Sequence, residues 1–323
     1  MRRMFVLCCL LAVSLLTACG REPQLPEPEG VRREEILLTV DGREVTAARY
    51  LYWLTTICQS LEEQYAAAGK PLDWSSPAEE GTLADYVKNQ ALRSTALYAT
   101  VETWAERYGC AVTEEDRTEL ARQWEDKAAA CGGEAEYLAL LAEKGLDRAE
   151  AERMAEDHHL YVELCTLAET EGSPLYASDH ELAEFFAERG YLTVRLLEFS
   201  GEGAADRAAE AFVRLNGSAD AAAEFDVLGG GAAQTLLPAE SLLPQVLFDA
   251  AALLAPGQVS GILETEEGVY AVLLRLENDL ASVRLAHFDH CLQSAADGAD
   301  ILVTEAYERI DAGHLAAGRA GEP

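Results

Sequence analysis

The spacing of apolar residues changes once along this chain, near Gly190, and that change most constrains what the chain can fold into. Before it, apolar side chains recur every three or four residues, as in Tyr50, Leu54 and Ile57, which is the repeat of an amphipathic helix. After it, residues 191–200 alternate along the chain, which predicts a strand. We therefore predict an α+β protein, with a mostly helical N-terminal domain followed by a small antiparallel-sheet domain.

The helical half is predicted to open with one short strand and a tight turn. Residues 35–46 surround an Asp41-Gly42 pair, which suits the positive φ of such a turn, and Thr46 is predicted to cap the helix that follows. Capping residues, prolines and glycines then delimit the further helices, which are predicted at 83–108, 113–130, 134–144, 147–169 and 178–189.

Turn residues divide the second half into shorter elements. The predicted order is strand 191–200, helix 204–215, short helix or turn 221–225, glycine loop 229–231, helix 246–254, and strands 259–264 and 269–276. Residues 283–295 are then predicted to be a helix and residues 300–304 a strand. This order indicates a small α+β unit with an antiparallel sheet.

The N-terminus has the pattern of a secretory signal. Two arginines precede an apolar core, 5–13, which is too short to span a bilayer as a mature helix. Leu-Thr-Ala-Cys follows at 16–19 and resembles the bacterial lipobox, which implies cleavage after residues 1–18 and a lipid on Cys19. Residues 19–34 are then a proline-containing, solvated linker. The alternative is an ordinary cleaved signal, or a retained anchor, in which Cys19 has no role.

The chain is strongly acidic, with a formal net charge of -32 at pH 7. This charge argues against binding nucleic acid or anionic lipid headgroups through bulk electrostatics. It favours solubility, with a weak attraction for basic clients as a secondary consequence.

The cysteines and histidines form no recognisable metal or redox motif. An odd number of cysteines remains beyond the signal and Cys19, so at least one thiol is unpaired, and none lies in a CxxC pair. A disulfide between Cys110 and Cys131 is one pairing that the sequence leaves open. His287 and His290 supply two ligands on one helix, with no third nearby, so we predict no metal site and no cofactor. The remaining cysteines are Cys58, Cys110, Cys131, Cys165 and Cys291.

Three stretches of the second half carry motifs. Residues 256–262 read PGQVSGI, residues 264–270 read ETEEGVY, and residues 229–231 are three glycines. Together they resemble the parvulin-type peptidyl-prolyl isomerase domain, in its PG-[EQ]-VS turn, its approach to the last strand and its Gly-Gly loop. With the strand and long helices ahead of it, the chain is similar to the SurA and PrsA type of extracytoplasmic foldase.

This resemblance implies a domain organisation. Residues 35–190 would form a helical chaperone domain of the SurA N-terminal kind, and residues 191–279 the parvulin-like domain. Residues 280–312 would return to pack on the first domain, and residues 313–323 would be a frayed tail.

The residues that carry the parvulin reaction are replaced in this sequence. Parvulins resemble one another in using two facing histidines, a Cys or Asp between them, and Met and Phe around the prolyl ring, but the parvulin-like segment contains no His, Cys or Met. The first histidine position falls on Leu196 or Glu198 and the second on Tyr270. The Met and Phe positions fall near Leu243 and Leu247. We therefore expect Leu196, Glu198 and Tyr270 to be degenerate catalytic positions. We expect Leu243, Leu247 and Tyr270 to contact substrate in an apolar pocket.

The function predicted from these features is that of a membrane-anchored extracytoplasmic chaperone or foldase. Its partners would be unfolded or partly folded exported polypeptides, and its isomerase activity would be lost, because the groups suited to the reaction are missing. Two alternatives stay open: an active isomerase with a substituted site, and a structural or assembly lipoprotein with one dedicated partner. Four aromatic side chains of the helical half either line a client-binding surface or pack in the core. They are Tyr50, Trp53, Trp104 and Tyr108.

Overall fold

The chain forms two compact units. The computed structural model describes residues 30–79, 81–236, 244–313 and 315, so Cys19 and Leu243 lie outside the described residues, as does most of the predicted tail. The helical unit comprises the described residues up to 175 and those from 288 onward, and the sheet unit comprises residues 176–287. The predicted α+β class is confirmed.

The helical unit contains a small sheet and long helices. Its strands are β1 (Ile36–Val40), β2 (Arg43–Thr46) and β7 (Ile301–Val303). Its helices are α1 (Ala47–Ala67), α2 (Leu83–Tyr108), α3 (Glu114–Ala130), α4 (Glu134–Glu143), α5 (Arg148–Glu169) and α11 (Glu305–Glu308). Helix α10 (Arg284–Asp297) begins in the sheet unit and continues in this one.

The β1–β2 hairpin has the tight turn that the sequence predicts. Asp41 and Gly42 have φ angles of 50° and 81°, which a two-residue turn with this twist requires. Thr46 precedes α1 as predicted, but its side chain makes no capping hydrogen bond. Strand β7 pairs with β1 in antiparallel register, with Leu302 opposite Thr39, so the C-terminal segment completes this sheet.

The main core of the helical unit lies between α1, α2 and β1. Tyr50, Leu51 and Leu54 on α1 are fully buried there, which places Tyr50 in the core and not on a surface. Trp53 is partly buried against the same core. Trp104 and Tyr108 are partly buried in a second cluster that includes Phe288 and Leu292 of α10. These aromatic side chains therefore contribute to packing.

A buried ion network joins three helices of this unit. Arg49 on α1 is 2% exposed and pairs with Glu102 on α2 at 2.8 Å and with Asp157 on α5. Arg43 and Arg153 each lie 3.3 Å from Glu102. Burial raises the pKa of Asp157 to about 7. Burial also opposes ionisation of Glu102, but the charge and hydrogen bond of Arg49 outweigh it and leave the pKa of Glu102 lowered.

The sheet unit surrounds a four-stranded antiparallel sheet in the order β4-β3-β6-β5. Its strands are β3 (Leu192–Phe199), β4 (Gln234–Leu236), β5 (Leu263–Glu266) and β6 (Val269–Arg275). Its helices are α6 (Asp179–Arg189), α7 (Ala204–Gly217), α8 (Ala221–Val227) and α9 (Gln245–Ala252), with a short 3₁₀ turn at Ala281–Val283. Strand β4 has no counterpart among the strands located from the sequence.

Helix α6 groups with the sheet unit, although the sequence suggested a boundary at Gly190. It begins with the predicted capping box, in which the Oγ of Ser178 accepts from the backbone N–H of Glu181 at 3.3 Å. Its buried Phe186 packs in one cluster with Tyr191 and Val283. This shared core is why α6 belongs with the strand that follows it.

Candidate functional site

The central strands β3 and β6 give the sheet two distinct faces. Leu196 lies opposite Leu273, and one step along the register Leu197 lies opposite Val272. Since successive side chains of a strand point to opposite faces, these two pairs lie on different faces. Leu273 packs with residues of α9, and Val272 packs with residues of α7 and α8. We call these the α9 face and the α7 face.

A small apolar hollow lies on the α9 face. The centre of a water molecule can occupy about 10 Å³ of this hollow, which is close to the smallest space that holds one water. Three strands and one helix contribute its lining, which consists of Leu192, Val194, Leu196, Gln234, Leu236, Leu247, Ala251 and Leu273.

Helix α9 closes one side of this hollow. Pro244 precedes the helix, and its fixed φ suits a helix start. Leu247 and Ala251 are four residues apart, so they share one helix face, and both are buried against the sheet. The local pattern of α9 therefore supplies the apolar wall.

The lining of the hollow offers almost no polar chemistry. Among the described residues that form it, Gln234 has the only polar side chain and none is titratable. The described lining therefore includes no side chain that could exchange a proton with a bound amide. It can bury apolar groups, and Gln234 can donate or accept a hydrogen bond at its edge.

The structure brings together only some of the predicted site residues. Leu196 and Leu247 line the hollow. Glu198 is two residues beyond Leu196 on the same strand face and is exposed. Tyr270 lies opposite Phe199 in the register, on the α7 face. Contrary to our expectation, it is not among the residues that line the hollow. Leu243 lies outside the described residues.

Register explains the misplacement of Tyr270. The residues of β6 on the α9 face include Ala271, Leu273 and Arg275, which lie opposite Glu198, Leu196 and Val194. A shift of one residue along a strand moves a side chain to the other face. Apolar alternation along β3 could have indicated Val194, but β6 is a continuous apolar run whose sequence does not distinguish the face of Leu273 from that of its neighbours. The three-residue strand β4 carried no such signal for Gln234 and Leu236.

The PGQVSG motif is held by β6, although most of it is not a strand. The backbone N–H of Gly257 donates to the carbonyl of Arg275 at 2.7 Å, and Val259 forms a single bridge with Leu274. The Oγ of Ser260 accepts from the backbone N–H of Leu273 at 3.0 Å and donates to the carbonyl of Gly261 at 2.7 Å. The backbone N–H of Ser260 still donates to the carbonyl of Leu273 at 2.8 Å, but the return bond from Leu273 goes to a side chain and not to a backbone carbonyl. The pairing is therefore irregular here, and β5 begins only at Leu263 and not at residue 259 as predicted.

Other site types receive no support from the described residues. No group of three or more His, Cys, Asp or Glu within them could hold a metal ion. Cys110 and Cys131 are both free thiols, so the disulfide that the sequence left open is not formed. Of the helices in the described segments, none is both long and apolar enough to cross a bilayer.

A family comparison assigns part of the chain. Residues 179–278 match the PPIC-type PPIase domain family, which confirms the parvulin-type resemblance over the region that contains the hollow. No curated protein matches the chain. The departures at the catalytic positions remain predictions from the sequence.

Several solved structures of foldases and chaperones are similar to the chain. PrsA from Streptococcus pneumoniae is 15% identical, with 78% of this chain and 94% of that chain covered and a TM-score of 0.27. PrsA from Bacillus subtilis is 15% identical, with 85% and 96% covered and a TM-score of 0.25. A structure from work on the SurA-like chaperones PEB4 and Cj1289 of Campylobacter jejuni is 12% identical, with 84% and 99% covered and a TM-score of 0.23. These proteins are of the class that the sequence resembles.

Proposed function

We propose that this chain, which carries a PPIC-type domain at residues 179–278, is an extracytoplasmic foldase-like chaperone for unfolded or partly folded exported polypeptides. A lipid on Cys19 holds it at a membrane. Its parvulin-like domain binds client side chains without accelerating rotation about the X-Pro amide bond. The single observation that supports this proposal is the apolar lining of the hollow, which lies where a reactive site would need polar groups.

Rotation about an X-Pro bond needs more than a binding site. The barrier is ~18–20 kcal/mol because the amide loses its resonance on twisting. A site that binds planar and twisted amides equally well leaves this barrier unchanged. Leu196, Leu247 and Leu273 offer burial alone, which is similar for both forms of the amide. Binding without acceleration follows from such a lining.

The size of the hollow sets a weak affinity. A leucyl or prolyl side chain is larger than one water, so it enters only if the lining side chains move apart. Burial returns ~0.8 kcal/mol per methylene, while association costs several kcal/mol in lost freedom. Weak contacts allow release of a client, and tethering at Cys19 raises the local concentration where clients emerge.

The test combines an isomerisation assay with an aggregation assay on one set of variants. Exchange NMR measures cis–trans exchange in a peptide with one X-Pro bond, and light scattering follows the aggregation of three unrelated denatured proteins. Leu196→Gln places a polar group in the hollow at a partly exposed position. Val213→Gln is the matched control, because Val213 is 68% exposed on α7 and does not line the hollow.

We expect wild type to leave the exchange rate unchanged and to suppress aggregation of all three clients. Leu196→Gln should weaken this suppression, and Val213→Gln should not. An acceleration by wild type that Leu196→Gln removes would identify an active isomerase with a substituted site. Protection of only one client would favour a dedicated assembly partner.

The lipid anchor is tested separately in a bacterial host. Mass spectrometry of the membrane-bound protein should find a diacylglyceryl-modified Cys19 as the first residue. Cys19→Ala should leave the chain unmodified and free of the membrane. An unmodified wild-type Cys19 in the membrane fraction would refute the anchor and leave the role of the hollow unaffected.

A further inference from the structure

The segment around the hollow is acidic, and its few cationic side chains bind to groups of the same segment. Residues 191–279 contain fourteen carboxylate side chains and four arginines, with no lysine or histidine, for a formal charge of -10. Since every cation of this segment is an arginine, the partners of these arginines decide which carboxylates remain unneutralised.

The arginines are held by groups of the sheet unit itself. Arg195 pairs with Asp226 at 2.7 Å, and Arg214 pairs with Glu224 at 2.5 Å. Arg275 is buried and donates to the carbonyl of Thr193 at 2.8 Å and to that of Leu276 at 2.6 Å. Arg207 donates to the carbonyls of Ser200 and Glu202 at 2.7 and 2.6 Å. None of these arginines is directed at the carboxylates beside the hollow.

Glu198 is the carboxylate closest in register to the hollow. It shares the α9 face with Leu196 and lies in a row with Ala271 and Leu263. Its side chain is exposed, and no described residue pairs with it. Two residues of a strand span about 7 Å, so the carboxylate and the apolar wall are within reach of one extended peptide.

We propose that the hollow selects an extended client segment in which an aliphatic or prolyl side chain enters the hollow and a lysine or arginine two residues away pairs with Glu198. This inference rests on the proposed client-binding function and adds a substrate class to it. Charge complementarity carries the argument, because the ligand would supply the cation that Glu198 lacks among the described residues. Arg275 shares this face in register, opposite Val194, but its guanidinium donates to the carbonyls of Thr193 and Leu276.

The spacing follows from strand geometry. A peptide lying along β3 in an extended conformation repeats its side chains on one face every two residues, as β3 itself does between Leu196 and Glu198. An exposed ion pair of this kind is weakened by salt. The preference should therefore be strongest at low ionic strength.

Fluorescence anisotropy with the full chain tests this proposal on labelled peptides that differ only in charge. One peptide carries lysine two residues to each side of a central Leu-Pro, and its partner carries glutamate at the same positions. The variants are Glu198→Gln and Glu210→Gln. Glu210 is the matched control, because it is an exposed carboxylate on α7, which packs on the other face of the sheet.

We expect wild type to bind the lysine peptide more tightly than the glutamate peptide. Glu198→Gln should weaken the lysine peptide by about two- to five-fold, the range that one exposed ion pair supplies. Glu210→Gln should leave both affinities unchanged, and salt should reduce the difference between the peptides.

Three results would overturn the inference: equal affinity for both peptides, a lysine preference that survives in Glu198→Gln, or an equal loss in Glu210→Gln, which would show a bulk charge effect. The aggregation assay with Leu196→Gln separates the two proposals. If that variant loses client protection while the peptides are bound equally, the client-binding function stands and the basic preference fails.

Discussion

Replacing Arg49 with methionine tests the buried ion network of the helical unit. The change removes the cation between Glu102 and Asp157 and keeps most of the volume of the side chain. Breaking a buried pair by removing one partner typically costs about 3–5 kcal/mol, because the other charge stays buried. For a unit of this size, 1 kcal/mol moves the melting midpoint by about 2–4 °C, so we expect Tm to fall by about 6–20 °C.

The loss has a predicted dependence on pH. The folded pKa of Asp157 is about 7, above the ordinary value of 3.8, so between these values the folded chain binds more protons than the unfolded chain. The contribution of Asp157 to wild-type stability therefore falls as the pH rises through this window. Without Arg49, ionising Asp157 and Glu102 is harder still. The deficit of Arg49→Met should be larger at pH 8 than at pH 5.

Tryptophan fluorescence during urea unfolding isolates this unit, because all four tryptophans, at positions 53, 74, 104 and 124, belong to it. Arg122→Met is the matched control. Arg122 also pairs with two carboxylates, Glu119 at 2.6 Å and Asp126 at 2.9 Å, but it is 61% exposed. We expect its midpoint to be unchanged. Equal effects of the two substitutions, or a deficit of Arg49→Met that does not grow with pH, would refute this reasoning.

Two further substitutions test local packing. In Gly230→Ala the new Cβ would lie 2.5 Å from Cδ1 of the buried Phe225 and 3.0 Å from its carbonyl oxygen, so we expect a loss of about 1–3 kcal/mol, measured by proteolysis of the sheet unit. Gly217→Ala, which meets nothing within 4 Å, should not destabilise that unit and would contradict the clash if it did. Tyr161→Phe removes a 2.7 Å hydrogen bond to Asp289 and should cost about 1 kcal/mol in the tryptophan-monitored transition, whereas no loss would mean that this bond does not stabilise α10 on α5.

Elements long enough to repeat their pattern could be predicted from the sequence. Helix α2 occupies 83–108 as predicted, since a helix of 26 residues shows its apolar stripe several times over. The strand β4 could not be found in this way. It has three residues, and its pairing with β3 includes a contact between Thr193 and Thr235, which are 42 positions apart.

Only part of the site could be predicted, because the sequence places residues along the chain but does not fix how the strands pair. Motif similarity located Leu196 and Leu247, but the face of a strand depends on register, and linear alignment does not determine register where an irregularity intervenes. Pairing in β5 shifts between Glu264 and Glu266, beside the turn that leads to Tyr270. The Arg49 network had no sequence signal, because its partners lie 53 and 108 positions away.

The return of the chain to its first sheet has a consequence for maturation. Thr304 donates its hydroxyl to the carbonyl of Leu37 at 2.9 Å, across 267 positions. The sheet unit is therefore inserted between two chain segments that together form the helical unit. Synthesis proceeds from the N-terminus, so β1 cannot pair with β7 until the whole sheet unit has been made. We expect the helical unit to be the last part to become resistant to proteases. In nascent chains that stop before residue 301, the helical unit should remain sensitive to proteases, even though α1 to α5 are complete.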